Sequence, residues 1–417
     1  MQPFRFIHCG DLHLGAPFQY AMGMSRSVDR AVAEATYDAF NNIIELAVRE
    51  RVNAVVISGD IYNSEDHNLE AQVRFVRAMY QLWETHIPVY MVQGNHDPAE
   101  SWRAGLAMPD NVHVFSDTQV QRFPLMVNNV EVGGVYGISC GHGNEQTNFA
   151  SQYKAFERDE FSLAVMHGTV GASLGSEDHN ITGPCNLSDI MDYWALGHIH
   201  KAQVLSEDPM VVYAGNPQGL HRKESGPKGC YMVRVAHNGH CELEFIETSA
   251  IRFEEIKLDI AGIRTESELL ELLSNKKQSL RKRHNKNTLV SVNLIGTGPM
   301  YRLCADEAVR KLWLRETQAE EKSKSTFIMP YRMTNKTRPA VNLAERRLLS
   351  DMVGDYLRAY DDTVKDVDAV RQILVNRPES KRLGGYLDLL SDDVLKRVME
   401  RSEMEGVTVL MGANDEH

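Results

Sequence analysis

The chain has 417 residues and a mass of 47.1 kDa, too long for one ordinary core, so one large domain with appendages or two to three domains are expected. Its 43% hydrophobic and 24% charged residues are those of a soluble globular chain, no stretch reaches the roughly 18 to 20 unbroken apolar residues of a membrane span, and MQPFRFIHCGD at the start lacks a secretory apolar core. With 45 Lys and Arg against 57 Asp and Glu the formal net charge is −12, which excludes gripping nucleic acid by bulk charge and leaves any phosphate ligand to locally concentrated positive charge.

Taken in chain order, short β-branched runs predict strands at 5–9, 54–58, 88–93, 130–136, 162–166, 194–197, 211–214, 231–235 and 242–246. Amphipathic spacing predicts helices at 29–51 and 69–85 between the early ones. Helices early and strands late suggest sheets packed face to face with helices outside. From about Phe253 the character changes. Thr265 and Glu268 make a capping box before LLELLSNKKQSLRKR, and NTLVSVNLIG follows as a strand, a small β-α-β unit. Beyond Pro339, Leu343, Arg347, Met352, Tyr356 and Tyr360 fit one helical pattern, and Leu383, Leu387, Leu390, Val394 and Val398 fit a second. Cys9, Cys140, Cys185, Cys230, Cys241 and Cys304 are scattered without a C-x-x-C pair, which argues for reduced, mostly buried thiols and a cytoplasmic protein.

Five of the expected strands in the first 200 residues run into polar clusters: FIHCGDLH, VVISGD, MVQGNHD, AVMHG and ALGHIH. Loops beyond the carboxyl ends of strands are where open α/β sheets build sites, so these clusters are expected to converge. In an extended segment residues i and i+2 point the same way. His198 and His200 would then form a clamp across Ile199, and Asp11 and His13 another across Leu12. Mixed oxygen and imidazole donors without thiolate favour Mn, Fe or Zn, and so many donors suit two divalent ions bridged by a carboxylate, an arrangement fitted to displacement at phosphorus.

The ordered series D-x-H, G-D, G-N-H-D, H-G and G-H-x-H, spanning about residues 5 to 217, resembles the calcineurin-like metallophosphoesterases. The run ALGHIHKAQ with VVYAGNPQGLHRKESGPKGCYMV resembles their DNA repair exonuclease branch, the SbcD-type and YhaO-type bacterial nucleases. The resemblance implies a four-layer α-β-β-α sandwich over residues 1–252, a small α+β capping domain that guides DNA over 253–338, and a helical partner-binding region over 339–417. It implies that Asp11, His13, Asp60 and His200 hold one ion and that Asp60, Asn95, His167 and His198 hold the other, most often Mn2+, with Fe2+ or Zn2+ as the other candidates. His96 would lie beside the scissile phosphate with Asp97 orienting it, although a plain turn carboxylate is an equal reading of Asp97. Where relatives acting on double-strand breaks carry a DNA-positioning histidine, this chain has Asn63.

For substrate contacts the candidates are Asn63, Arg222, Lys223, Lys282 and Arg283. The last two belong to an acid-free basic run (Lys276, Lys277, Arg281, Lys282, Arg283, Lys286) that also reads as the solvated end of a helix. The resemblance further implies an SMC-like coiled-coil ATPase as partner through the C-terminal helices, and a homodimer. The expected function is therefore a two-metal phosphodiesterase acting on DNA. A metallophosphoesterase for a small nucleotide or a phosphoprotein, and a non-catalytic DNA-end binding subunit, are the alternatives.

Overall fold

Side-chain alternation in the first strand sets the layering. The structure, a computed structural model, describes residues 1–18, 24–99, 101, 104–141, 148–156, 159–170, 187, 190–339, 341–376 and 391–413. In β1 (Phe4–Cys9), Phe4 and Phe6 enter one core while Ile7 and Cys9 enter another. Burial on both faces requires nearly unbroken apolar strands, which is how these segments read.

The chain forms two units, the first made of Met1–Glu255, Lys277–Ser291 and Glu316–Arg332, the second of Ile256–Lys276, Val292–Arg315 and Met333–His417. In the first unit the elements follow as β1, α1 (Arg26–Glu50), β2 (Ala54–Ser58), α2 (Leu69–Glu84), β3 (Val89–Val92), β4 (Val112–Val114), β5 (Gln121–Val127), β6 (Val130–Ile138), β7 (Ser162–His167), β8 (Tyr193–Gly197), β9 (Gln203–Glu207), β10 (Met210–Tyr213), β11 (Gly229–Val235) and β12 (Cys241–Glu247). Two six-stranded sheets result, ordered β12-β11-β1-β2-β3-β4 and β5-β6-β7-β8-β10-β9. Between them Phe6, Val56 and Tyr90 of the first meet Val135, Val165 and Ala195 of the second. On the outer face of the first sheet, Phe40 and Ile43 of α1 and Phe75 and Met79 of α2 pack on Ile7, Val55 and Met91. On the outer face of the second, Met166, Trp194 and Tyr213 are covered by Phe149, Tyr153 and Met191. The architecture is mixed α/β with two sheets face to face, as expected.

Helix starts follow their caps. The Ser25 side chain accepts from the Val28 N–H at 3.3 Å, so α1 begins before the apolar pattern alone suggests. Strands β4, β5 and β9 escape a pattern search because all three are edges or very short. In β5, Pro124 supplies no N–H, which only an edge strand tolerates.

Strands β1 to β4 run parallel, as do β6, β7, β8 and β10. Their registers are level at the carboxyl end: Cys9 lies opposite Ile57, Ser58 opposite Val92, and His167 opposite Gly197. All five polar clusters therefore leave the sheets from the same edge.

Further along come β13 (Ile251–Asp259), α3 (Glu266–His284), β14 (Asn287–Thr297), α4 (Tyr301–Ala305), α5 (Glu307–Ala319) and β15 (Ile328–Arg338), with β13, β14 and β15 forming a three-stranded sheet in that order. The capping box forms: the Glu268 N–H donates to Thr265 Oγ1 and the Thr265 N–H to Glu268 Oε2, both at 3.3 Å. The C-terminal region is helical, with α6 (Leu343–Arg347), α7 (Met352–Thr363), α8 (Val367–Val375) and α9 (Asp392–Ala413). Its first stripe is split by the Asp351 cap, after which Val353 and Leu357 pack on Val407 of α9. Leu383, Leu387, Leu390 and Cys185 lie outside the described residues. Cys9, Cys140, Cys230, Cys241 and Cys304 are buried and unbridged. Among the described residues no helix is long and apolar enough to cross a membrane.

Candidate metal centre

The loop after β1 is stitched to the loop after β2 by backbone hydrogen bonds, Asp11 N–H to Gly59 carbonyl at 2.9 Å and His13 N–H to Asp60 carbonyl at 3.0 Å. This forces left-handed backbone on residues that are not glycine: φ is +49° at Asp11, +42° at His13 and +51° at Asp60, and it reaches +97° at His198. Such conformations cost free energy and persist where a site demands them. They also correct the extended-segment argument. His198 and His200 do not make one clamp across Ile199, because the turn at His198 sends the two rings to different neighbours. Gly94 is needed for closeness: a Cβ there would collide with the Asp60 carboxylate.

Asp11, His13, Asp60, Asn95, His167, His198 and His200 converge as two groups around one atom. In the first, His13 Nε2 and His200 Nε2 are 3.0 Å apart, and ligand atoms of Asp11, His13 and His200 all lie within 4.8 Å of one another. In the second, Asn95 Oδ1 lies 2.9 Å from His167 Nε2 and 3.2 Å from His198 Nδ1. Asp60 Oδ2 belongs to both, 3.7 Å from His13 Nε2 and 3.3 Å from His167 Nε2. Asp11, Asp60 and His167 also satisfy the ligand spacing, but there His167 approaches Asp11 with Nδ1, at 4.0 Å. That nitrogen already donates to the Ser58 carbonyl at 2.8 Å, so Nε2 is the atom available to an ion.

The far nitrogens of the first group are similarly committed. His13 Nδ1 is 3.0 Å from Asn63 Oδ1, and His200 Nδ1 is 2.6 Å from Glu224 Oε1. With the proton on each Nδ1, two Nε2 lone pairs face each other at 3.0 Å, a contact relieved by a proton or a metal ion between them. Asp11 Oδ2 is buried and accepts no hydrogen bond from the described residues, an unmet cost of the kind an ion relieves. Two carboxylates, an amide oxygen and four imidazoles without thiolate thus fit two hard-to-borderline divalent cations.

The electrostatics agree with that donor set. Burial pushes the Asp60 carboxyl up, but the His167, His13 and His96 imidazoles outweigh it and hold the group well below the usual carboxylate range. Burial lowers His167, and the Asp60 and Asp11 carboxylates overcome it, raising the imidazole to about 9. The pocket draws positive charge.

His96 is exposed, its ring 5.1 Å from that of His13, while its backbone N–H donates to Asp60 Oδ1 at 2.9 Å. Asp97 is buried, and its carboxylate accepts the Gly94 N–H at 2.9 Å and the Ile61 N–H at 3.3 Å. Its carboxylate bonds go to backbone N–H groups of the turn and not to the His96 ring, as the turn-carboxylate reading has it. Asn63, expected at the substrate, instead holds His13.

Arg222 and Lys223 are exposed on the loop between β10 and β11. The residue of that loop reaching the cluster is their neighbour Glu224, which no motif pointed to. Burial pushes its carboxyl up, but hydrogen bonds with His200 and the Leu220 N–H hold it down at about 2. Lys228, also unforeseen, is buried and donates to the His200 carbonyl at 2.6 Å. The basic run is divided by helical geometry: Lys277 pairs with Glu320 at 2.8 Å and Glu321 at 3.2 Å, Arg281 pairs with Glu321, and Lys286 donates to the Ser249 carbonyl at 2.7 Å. Lys276, Lys282 and Arg283 remain exposed.

A two-sheet sandwich whose strand ends gather this donor set defines a metal-dependent hydrolase. The chain belongs to the calcineurin-like phosphoesterase family, whose model matches residues 4–202 and whose members use a dinuclear divalent metal site. It is 30% identical over 406 residues to metallophosphoesterase YhaO of Bacillus subtilis (strain 168), covering 96% of each chain. It is 23% identical over 393 residues to the DNA double-strand break repair protein Mre11 of Sulfolobus acidocaldarius, covering 90% of this chain and 96% of that one. Among solved structures, a dimetal phosphatase from Danio rerio matches at 13% identity with a TM-score of 0.35, over 58% of this chain and 99% of that one.

Proposed function

We propose that this protein is a manganese-dependent phosphodiesterase that hydrolyses DNA as exonuclease, endonuclease or both, working in the cytoplasm as the nuclease subunit of a complex with a coiled-coil ATPase in repair or defence. The observation carrying the reading is the nearness of Asp60 Oδ2 to both His13 Nε2 and His167 Nε2, as a bridging carboxylate requires. Asp11, His13, Asp60 and His200 would hold one ion, and Asp60, Asn95, His167 and His198 the other. When bound, the two cations supply a nucleophile at neutral pH and positive charge at the phosphoryl oxygens.

The chain's own residues do the rest. Asp97 and the Asp60 carboxylate fix the backbone of the Gly94–Asp97 turn, which presents the His96 ring to solvent beside His13. From there its imidazole meets the scissile phosphate and donates a proton to the leaving oxygen. Arg222 and Lys223, on the loop that reaches His200, and Lys282 and Arg283 attract the phosphate backbone. DNA is favoured over a small phosphodiester because the alignment with the archaeal double-strand break repair protein runs over 90% of this chain, far beyond the residues matched by the family model. Exposed Leu348, Leu349 and Met352 at the start of the C-terminal helices suit a partner with an apolar stripe, and a homodimer belongs to the same proposal.

The test is the manganese-loaded protein on end-labelled duplex and single-stranded DNA beside a chromogenic small phosphodiester. Faster turnover of DNA is expected. Cleavage of the small ester alone would move the assignment to nucleotide substrates.

A further inference from the structure

The outward nitrogen of His200 meets a buried carboxylate: His200 Nδ1 lies 2.6 Å from Glu224 Oε1. Glu224 is 7% exposed and comes from a loop 24 residues further along the chain. Its second oxygen, Oε2, accepts the Leu220 N–H at 2.6 Å and the Asn216 side-chain amide at 3.1 Å. Both oxygens are thus engaged, and the carboxylate cannot swing away without abandoning three donors. The ring is held from its backbone too, since Lys228 Nζ donates to the His200 carbonyl at 2.6 Å. An anion on one ring nitrogen pins the tautomer with the proton on that side, turns the other nitrogen's lone pair toward the cluster and makes it more basic.

We infer that Glu224 is the positioning residue for His200, setting how tightly the ion shared by Asp11, His13 and His200 is held and coupling that ion to the fold of the 214–228 loop. The inference rests on the two-ion reading above. His13 has only a neutral amide in the equivalent place, Asn63 Oδ1 at 3.0 Å. Losses of this kind of outer carboxylate cost about 10- to 100-fold in metal affinity.

The experiment is manganese titration of the full-length metal-stripped protein by calorimetry, with circular dichroism to verify folding, on wild type, Glu224→Ala, Asn216→Ala, His200→Ala and the His200→Ala/Glu224→Ala double variant. Wild type is expected to take two ions per chain. Glu224→Ala should weaken one of them by about 10- to 100-fold and leave the other unchanged. Asn216→Ala, which removes one of the three donors holding Glu224, should weaken the same ion by less than Glu224→Ala does. The decisive arm is the double variant: if Glu224 acts through His200, adding Glu224→Ala to His200→Ala costs nothing further. An unchanged pair of affinities in Glu224→Ala, or a full second loss in the double variant, overturns the inference while leaving the two-ion reading standing. Fewer than two ions in wild type overturns both.

Discussion

The two halves of the candidate metal centre are built on different supports. In the half containing His167, the outward ring nitrogen donates to a backbone carbonyl, Ser58 at the end of β2. In the half containing His13 and His200, the outward nitrogens meet side chains, Asn63 and Glu224, from two different loops. A carbonyl at the end of a buried parallel strand is fixed by the sheet and cannot be removed by substitution. A side-chain acceptor can be changed one residue at a time. The first half is therefore as rigid as the core, and the second is where affinity can be tuned.

Removing what the halves share is the severest break. Asp60→Ala deletes the oxygen that lies within reach of both His13 and His167. At most one manganese per chain and no detectable cleavage are expected, read by elemental analysis after gel filtration and by the DNA assay. Two retained ions would show that the halves are independent.

Next in size is His96→Ala. The His96 ring stands beside His13 without completing the donor set, and its bond to Asp60 is made by the backbone. Manganese content should stay at two per chain while cleavage falls by about 100- to 10,000-fold, the range of a lost general acid. Undiminished cleavage would remove His96 from the chemistry.

Asn63→Ala tests the tunable half more gently. It removes a neutral acceptor from His13, and a few-fold weaker affinity for one manganese is expected, about 1 kcal/mol for a neutral hydrogen bond. The smallest effect on metal belongs to Ser58→Ala. This variant keeps the carbonyl bonded to His167 and loses only the hydroxyl, which contacts His8 and the Cys9 carbonyl. Manganese affinities should match wild type while the thermal midpoint falls, with about 1–2 kcal/mol lost for buried hydrogen bonds. A large drop in affinity would mean that the rigid half depends on side chains after all.

The same contrast explains which residues could be read from the chain. Candidate ligands of both halves follow apolar strands with a glycine nearby, so Asp11, His13, Asp60, Asn95, His167, His198 and His200 stand out as polar endings to hydrophobic runs. Glu224 follows no strand directly. It lies among Arg222, Lys223 and Ser225, where a glutamate looks like any solvated charge, and only the return of the 214–228 loop makes it a partner of His200. Lys277 misled in the opposite direction: within a run of basic residues it looks free for phosphate, yet its helix turns it inward onto Glu320 and Glu321.

Short apolar runs between amphipathic helices were enough to establish two strand-rich layers with helices, and the Asp, Asn and His residues after strand ends were enough to nominate the ligands, because both signals are local. Which ring faces which neighbour, which carboxylate is shared and which loop residues support the histidines were decided by tertiary structure. Left-handed turns at Asp11, His13, Asp60 and His198 reorient side chains independently of their spacing. Partners such as Glu224 and His200 meet only when strands from separate parts of the chain align their carboxyl ends.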